Sequence, residues 1–258
     1  MIKTVCVSDV GHVRSVNEDS YWVESLEQGF TLGIVADGMG GHKAGDTASR
    51  LAVETISADL KKLPRATSTE LRREAMRKAI LHANEVVFRT ASESVEYHNM
   101  GTTVEAILLD RREGIIGHIG DSRAYLFRQG GITQLTEDHT LVNELVKSRQ
   151  ISEEEASHHP RRNVITRALG TDAQVEVDLI HVALKEGDIL LLCSDGLSSY
   201  VSKHQMAQTV GLSEVSLKDR ADHLLQLALD AGGEDNITVA LIEISEGTAG
   251  SSVKEWTT

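Results

Sequence analysis

The stretch Phe30-Thr31-Leu32-Gly33-Ile34-Val35-Ala36, running straight into Asp37-Gly38-Met39-Gly40-Gly41-His42, decides how this chain is read. A short apolar run bounded by glycines reads as a buried strand. It delivers a carboxylate to its end, and the pattern recurs twice. Ile189-Leu190-Leu191-Leu192-Cys193-Ser194 runs into Asp195-Gly196, and Gly232-Gly233-Glu234-Asp235-Asn236 leads into the strand Ile237 to Ile244. A carboxylate beside a buried strand is costly unless something cationic meets it. Three that converge repel one another unless a cation sits between them. Oxygen donors select a hard divalent ion, Mg²⁺ or Mn²⁺. A metal-dependent enzyme is the first expectation.

Working outward, strands are expected at Lys3 to Ser8, Ser20 to Glu24 and Thr31 to Ala36. Two helices follow. Ala48, Leu51, Ala52, Thr55, Ile56 and Leu60 keep helical spacing in the first. Thr67-Ser68-Thr69-Glu70 reads as a capping box opening the second, whose stripe is Leu71, Ala75, Ala79, Ala83 and Val86. Pro64 separates them and predicts an antiparallel pair. Strands resume at Thr103 to Leu109, Gly114 to Ile119 and Ala124 to Arg128, with Gly130-Gly131 as a tight turn. Residues 134–170 are charged and rich in His and Arg, with one helical stretch around Leu141 to Val146. They are expected to form a mobile flap over the site rather than core. Strands return at Val175 to Ala183 and Asp188 to Cys193, and a helix carrying Ala221, Leu224, Leu225 and Ala228 ends at Gly232. Residues 246–258 are Gly/Ser/Thr-rich and are expected to be a disordered tail.

Strands outnumber helices, and the helices come in pairs. That favours an α+β fold of stacked antiparallel sheets flanked by helices over a βαβ parallel sheet. No internal repeat or linker marks a second domain, so residues 1–245 are expected to form one.

The net charge of −13 argues against a nucleic-acid partner. Cys6 and Cys193 both lie in apolar runs and read as buried thiols, which fits a reducing cytosol. Met1-Ile2-Lys3-Thr4-Val5-Cys6 lacks the apolar core of a signal peptide. No apolar run approaches the roughly 18 residues of a membrane span. A cytoplasmic protein with no membrane insertion is the expectation.

The glycines after Asp37 satisfy neither the phosphate-binding G-x-x-x-x-G-K-[ST] loop nor a dinucleotide fingerprint, because Lys43 stands where the third glycine is needed. Gly38 lacks a Cβ, so its carbonyl can approach a metal. Arg14, just ahead of Glu18-Asp19, reads either as a surface ion pair or as a phosphate clamp beside a metal cluster. Glu18 and Asp19 stand to support the metals. Asp121 lies in a turn between two apolar strands, and His42 follows Asp37 closely enough to act as a general acid. Cysteine-nucleophile chemistry needs C-x₅-R, yet Ser199 and His12 occupy the sixth position beyond Cys193 and Cys6. An aspartyl nucleophile in D-x-D is excluded by Asp37-Gly38-Met39, and zinc-type His/Cys spacing does not occur.

The segments "RSVNEDS", "VADGMGGHKAG", "MGTTV", "HIGDSRAYL", "TEDHTLVNEL", "VITRALG", "LLLCSDGL" and "GGEDNIT" occur in that order along nearly the whole chain. Together they resemble the metal-dependent protein phosphatases of the protein phosphatase 2C type, in particular the bacterial single-domain enzymes paired with Gram-positive membrane Ser/Thr kinases. The resemblance implies an αββα sandwich and a phosphoserine/phosphothreonine phosphatase in which a water activated between two metals attacks phosphorus in line. It implies Asp37 bridging two Mn²⁺ or Mg²⁺ ions, with the Gly38 carbonyl, Asp195 and Asp235 completing their ligands. It also implies a weaker third ion at Asp121 with Asp195. Arg14 would bind phosphate, Asp19 would stand beside it, and His42 would be the acid. The implied partners are a cognate Ser/Thr kinase and its phosphorylated substrates, met by a monomer. Alternatives are a phosphopeptide-binding pseudophosphatase, a small-molecule phosphatase, or a regulator of a sigma-factor pathway. The intact set Asp37, Asp121, Asp195 and Asp235 speaks against a pure binder.

Overall fold

The computed structural model describes residues 1–40 and 44–245 of the 258-residue chain. Three strands open it: β1 (Ile2–Asp9), β2 (Asp19–Ser25) and β3 (Thr31–Met39). The helices α1 (Ala44–Leu60) and α2 (Thr69–Glu93) follow, then β4 (Gly101–Thr102), β5 (Val104–Leu109), β6 (Glu113–Ile119), β7 (Arg123–Arg128) and β8 (Gly131–Gln134). Two short helices come next, α3 (Leu141–Lys147) and α4 (Glu153–Ser157), before β9 (Asp178–Ala183) and β10 (Ile189–Cys193). The chain closes with α5 (Asp195–Ser198), α6 (Lys203–Val210), α7 (Leu217–Asp230) and β11 (Ile237–Ile244).

The strands form two sheets. One runs β1-β11-β10-β7-β8; the other runs β2-β3-β5-β6-β9, with β4 paired to β3. All pairings are antiparallel. Alternation along each central strand sends its side chains into two different cores. Val35, Ile107, Leu126, Leu190, Leu192 and Ile242 meet between the sheets. Leu32, Ile34 and Ala36 face the other way, onto Ala48, Ala52 and Ile56 of α1 and Ile80 and Ala83 of α2. Leu191, Cys193, Val239 and Leu241 pack outward on Met206, Ala221 and Leu224 of α6 and α7. Each such Leu or Ile contributes about 1.5–3 kcal/mol by leaving water. The result is an αββα sandwich. Gly33 lets the sheets approach, since a Cβ there would press on Ile242, Leu192 and Ile107.

Several expected elements differ in detail. β3 continues through Asp37 to Met39, because β4 supplies backbone partners to Gly38 and Met39. The second helix is capped by Ser68, whose hydroxyl accepts from Leu71 N–H, so the capping box read from Thr67 is out by one residue. The β7–β8 turn is centred on Gln129 (φ 52°) and Gly130 (φ 79°), and Gly131 already belongs to β8. Residues 175–177 are not strand, and α4, α5 and α6 were not expected.

The flap is also corrected. Thr136, His139 and Thr140 at its entry are buried, as are Ala168 and Leu169 at its exit. Bridges Thr140↔Ile165 and Thr102↔Leu169 tie both ends into the body. Residues 141–167, with α3 and α4, contain no buried residue. The expected tail at 246–258 lies outside the described residues.

Candidate metal centre

The sandwich brings the acidic residues to one end of its two sheets. Asp37 on β3 and Asp19 on β2 are directly opposed partners. Asp121 occupies the β6–β7 turn, Asp195 opens α5 just beyond β10, and Asp235 precedes β11. Backbone contacts fix Asp37: its N–H donates to the Thr103 hydroxyl at 2.9 Å, and its carbonyl accepts from Thr103 N–H and the Thr102 hydroxyl, both at 2.9 Å. Thr103 in turn shares a 2.7 Å hydrogen bond with Ser122, next to Asp121.

Asn236 closes the cluster on the other side. Its Oδ1 accepts from Glu18 N–H at 2.8 Å, and its Nδ2 donates to the Val10 and Val16 carbonyls at 3.0 Å. The Arg14 loop and the Asp235 loop are thereby held as one. Close backbone approach needs glycine here: a Cβ at Gly38 would strike the Gly45 and Glu18 carbonyl oxygens, and one at Gly196 would strike that of Asn236.

The electrostatics are those of crowded carboxylates. Burial, followed by repulsion from Asp19, Asp195, Asp121 and Asp235, raises Asp37 well above the carboxylate range. Asp19 is pushed up to about 7 by burial, although Ser194 (2.8 Å) and Thr238 (2.7 Å) hydroxyls donate to its Oδ2. Asp121 rises to about 7 through burial and then Asp195; Asp195 rises to about 6 through burial and then Asp235. Asp195 and Asp37 are close enough to share a hydrogen bond. Burial raises Glu18 as well. Arg14 Nη2 donates to Asp235 Oδ2 at 2.8 Å.

These residues fit a bound cation. Asp19 Oδ1, Asp195 Oδ1 and Glu18 Oε1 are buried without a hydrogen-bond partner, an arrangement that costs free energy unless a cation satisfies it. The donor set is all oxygen, as Mg²⁺ and Mn²⁺ require. Among the described residues no three side chains are already closed into a cage. Asp235 directs one oxygen to Arg14 and the other to the Asn236 N–H, and Asp19 gives one oxygen to hydroxyls.

Of the residues singled out in the sequence, the structure brings together Arg14, Glu18, Asp19, Asp37, Gly38, Asp121, Asp195 and Asp235. His42 lies outside the described residues. Thr102, Thr103, Ser194, Asn236 and Thr238 were missed as supporting residues. Their signal was present, since each lies in or beside a motif quoted above, but polar residues next to an aspartate carry no periodicity. Arg167, near the exit of the flap, is paired: its Nη1 donates to Asp178 Oδ1 at 2.8 Å.

Comparisons with known proteins place the chain in a family. The family model described as protein phosphatase 2C matches residues 11–230. The serine/threonine phosphatase stp of Listeria welshimeri is 41% identical over 236 residues, covering 92% of this chain and 93% of that protein. The solved serine/threonine phosphatase of S. agalactiae superposes with a TM-score of 0.89 at 39% identity, covering 95% of this chain and all (100%) of that one. The catalytic domain of the serine threonine protein phosphatase PstP, solved in complex with two manganese ions, gives a TM-score of 0.81 at 34% identity, covering 95% and 99%. The chain belongs to the protein phosphatase 2C family.

Proposed function

We propose that this metal-dependent protein serine/threonine phosphatase hydrolyses its phosphoester substrates at the carboxylate cluster. The observation that carries the reading is Asp37, crowded by four other aspartates that each raise its pKa. Asp37, the Gly38 carbonyl, Asp195 and Asp235 would hold two Mn²⁺ or Mg²⁺ ions, and Asp121 with Asp195 a weaker third. When bound, the ions supply Lewis-acid chemistry, activating water near neutral pH and offsetting phosphoryl charge.

The chain's own groups do the positioning. Thr102 and Thr103 fix the Asp37 backbone, and Ser194 and Thr238 orient Asp19. Arg14 is half exposed, and its guanidinium can exchange Asp235 for two oxygens of an incoming phosphate. Burial disfavours its charge, but Asp235 outweighs that and raises its pKa, so it is always a cation. Protonation of the leaving alkoxide falls to His42, a role that would contribute roughly 10²–10⁴-fold. Partners would be phosphoproteins, with a cognate Ser/Thr kinase as counterpart to a monomeric phosphatase. Among the described residues no helix is long and apolar enough to cross a membrane; action in the cytoplasm is part of the proposal.

Hydrolysis of a phosphothreonine peptide and of p-nitrophenyl phosphate, with Mn²⁺, with Mg²⁺ and with EDTA, tests the reading. Metal-dependent turnover that disappears in Asp37→Asn is expected. Tight phosphopeptide binding without turnover in either metal would favour a pseudophosphatase.

A further inference from the structure

Two consecutive residues at the entry to the flap grip the Asp121 turn from both sides. His139 N–H donates to the Gly120 carbonyl at 2.8 Å, and Gly120 N–H donates to His139 Nδ1 at 3.0 Å. Asp138 takes the Arg123 guanidinium through Nε at 2.9 and 3.1 Å and through Nη2 at 2.6 Å. The residue before Asp121 and the residue two after it are thus both fixed by the same dipeptide. We infer that the Asp138-His139 pair is a positioning element for the Asp121 carboxylate, with His139 acting through the Gly120 amide. The inference rests on the reading of Asp121 as a ligand of the weaker third ion.

The tautomer of His139 follows from its partners. A backbone N–H only donates, so Nδ1 must be the bare nitrogen. The proton therefore lies on Nε2, 3.2 Å from Asp178 Oδ2. Burial and the neighbouring His118 push the His139 pKa down to about 4, which keeps the ring neutral at physiological pH. His118 packs against it at 4.7 Å between centroids. The His118 ring is held by buried Glu105 at 2.9 Å and reaches the Glu137 carbonyl with Nε2 at 3.0 Å.

Both strands of the flap stem meet on this ring. The His139 carbonyl accepts from Thr166 N–H at 2.8 Å on the returning strand. Arg167 Nη1 lies 3.0 Å from Nε2 while donating to Asp178. The Gly120 turn and both strands of the flap stem are thus joined through the one residue His139.

Mn²⁺ titrated calorimetrically into the full chain and its variants tests this. Asn places an acceptor where His Nδ1 stands, whereas Gln places its amide near Nε2. His139→Asn is expected to keep the weaker class of Mn²⁺ sites. His139→Gln is expected to weaken that class by about 10–100-fold, the usual effect of losing an outer-shell partner, while leaving the tighter class unchanged. With p-nitrophenyl phosphate, His139→Gln should lower kcat at saturating Mn²⁺ without moving KM. Wild-type weak-site affinity in folded His139→Gln overturns the inference, and so does equal loss in the Asn and Gln variants. If His139→Gln does not fold, Asp138→Asn carries the test by the same readout, and an unchanged weak class overturns it. Asp121→Ala separates the two levels. Loss of the weak class there, with His139→Gln unaffected, removes only the positioning role. Retention in Asp121→Ala removes the third-ion reading itself.

Discussion

Asp19 and Asp37 are directly opposed on adjacent antiparallel strands, Asp19 buried and Asp37 partly buried. Like charges in that relationship destabilise a sheet. Without a cation the crowded carboxylates favour their protonated forms: Asp37 is raised well above the carboxylate range, Asp19 and Asp121 to about 7 and Asp195 to about 6. The sign of the consequence is fixed. An unfolded aspartate loses its proton near its ordinary value of 3.8, while the folded, metal-free chain keeps it. Between about pH 4 and pH 7 the folded state therefore binds more protons, and its stability falls as pH rises. Thermal unfolding in EDTA should give a Tm that drops from about pH 5 to pH 7.5. Because cation binding expels those protons, the Tm gain from saturating Mn²⁺ should widen over the same interval. An equal Mn²⁺ gain at both ends would contradict the assignment.

Asp37→Asn separates folding from function. The amide copies the protonated carboxyl and leaves Thr102 and Thr103 bonded to the backbone. Without metal the variant should be no less stable than wild type near pH 7.5, and up to ~2 kcal/mol more stable, because a buried like-charge contact is gone. Its Mn²⁺-induced rise in Tm and its turnover should nearly vanish. Denaturant titration with and without Mn²⁺ reads both; wild-type-like turnover in the folded, metal-replete variant would refute the role of Asp37.

Much of this arrangement was legible in the sequence because apolar strands announce themselves and the aspartates follow them. Strand β3 and its Asp37, strand β10 with Asp195, and the loop before β11 with Asp235 were all read from that pattern. What the sequence did not show was registry. Nothing in "RSVNEDS" says that Asp19 pairs with Asp37, since strand partners are set by long-range packing. Helix α6 escaped because only Met206, Thr209 and Val210 on it are buried, too few for a visible stripe, although Ser202 and Gln205 spell its capping box. The flap stem escaped for a chemical reason: its buried side chains, Thr136, His139 and Thr140, are polar and are buried by hydrogen bonds rather than by hydrophobicity.

Arg14→Ala tests the phosphate clamp. A charge-assisted hydrogen bond is worth about 1.5–3 kcal/mol, so KM for p-nitrophenyl phosphate should rise about 10–100-fold. The fold should tolerate the change, because this side chain is half exposed and its only ion pair is with Asp235 among the described residues. An unchanged KM would leave Arg14 as an ion pair and nothing more.

Glu105 and His118 make a fully buried pair at 2.9 Å. Burial works against charge on His118, but Glu105 outweighs it and holds its pKa above the ordinary value. Glu105→Ala removes the group that offsets burial of the His118 ring and leaves its Nδ1 without a partner in the core, which should cost about 1–3 kcal/mol. Glu105→Gln, which keeps a hydrogen-bond acceptor, should cost clearly less. Urea unfolding of the two variants decides this, and equal losses would mean that packing rather than charge pairing dominates.

The flap arginines should divide into two kinds. Arg162 lines a cavity of about 590 Å³ that also touches Asp121 and Asp195, so its charge stands where substrate would approach the cluster. Arg161, its neighbour, is exposed. Reversing either to Glu should lower kcat/KM on a phosphoprotein about fivefold, the worth of roughly 1 kcal/mol for an exposed ion pair, while p-nitrophenyl phosphate turnover stays near wild type. Arg167 should behave otherwise, because it is committed to Asp178 and packed beside His139. Arg167→Glu sets like charges against each other at the flap stem, so it should lower Tm and reduce turnover of both substrates together. Equal losses on the two substrates for Arg161 and Arg162 as well would exclude a role in recognising protein and would assign all three arginines to holding the flap.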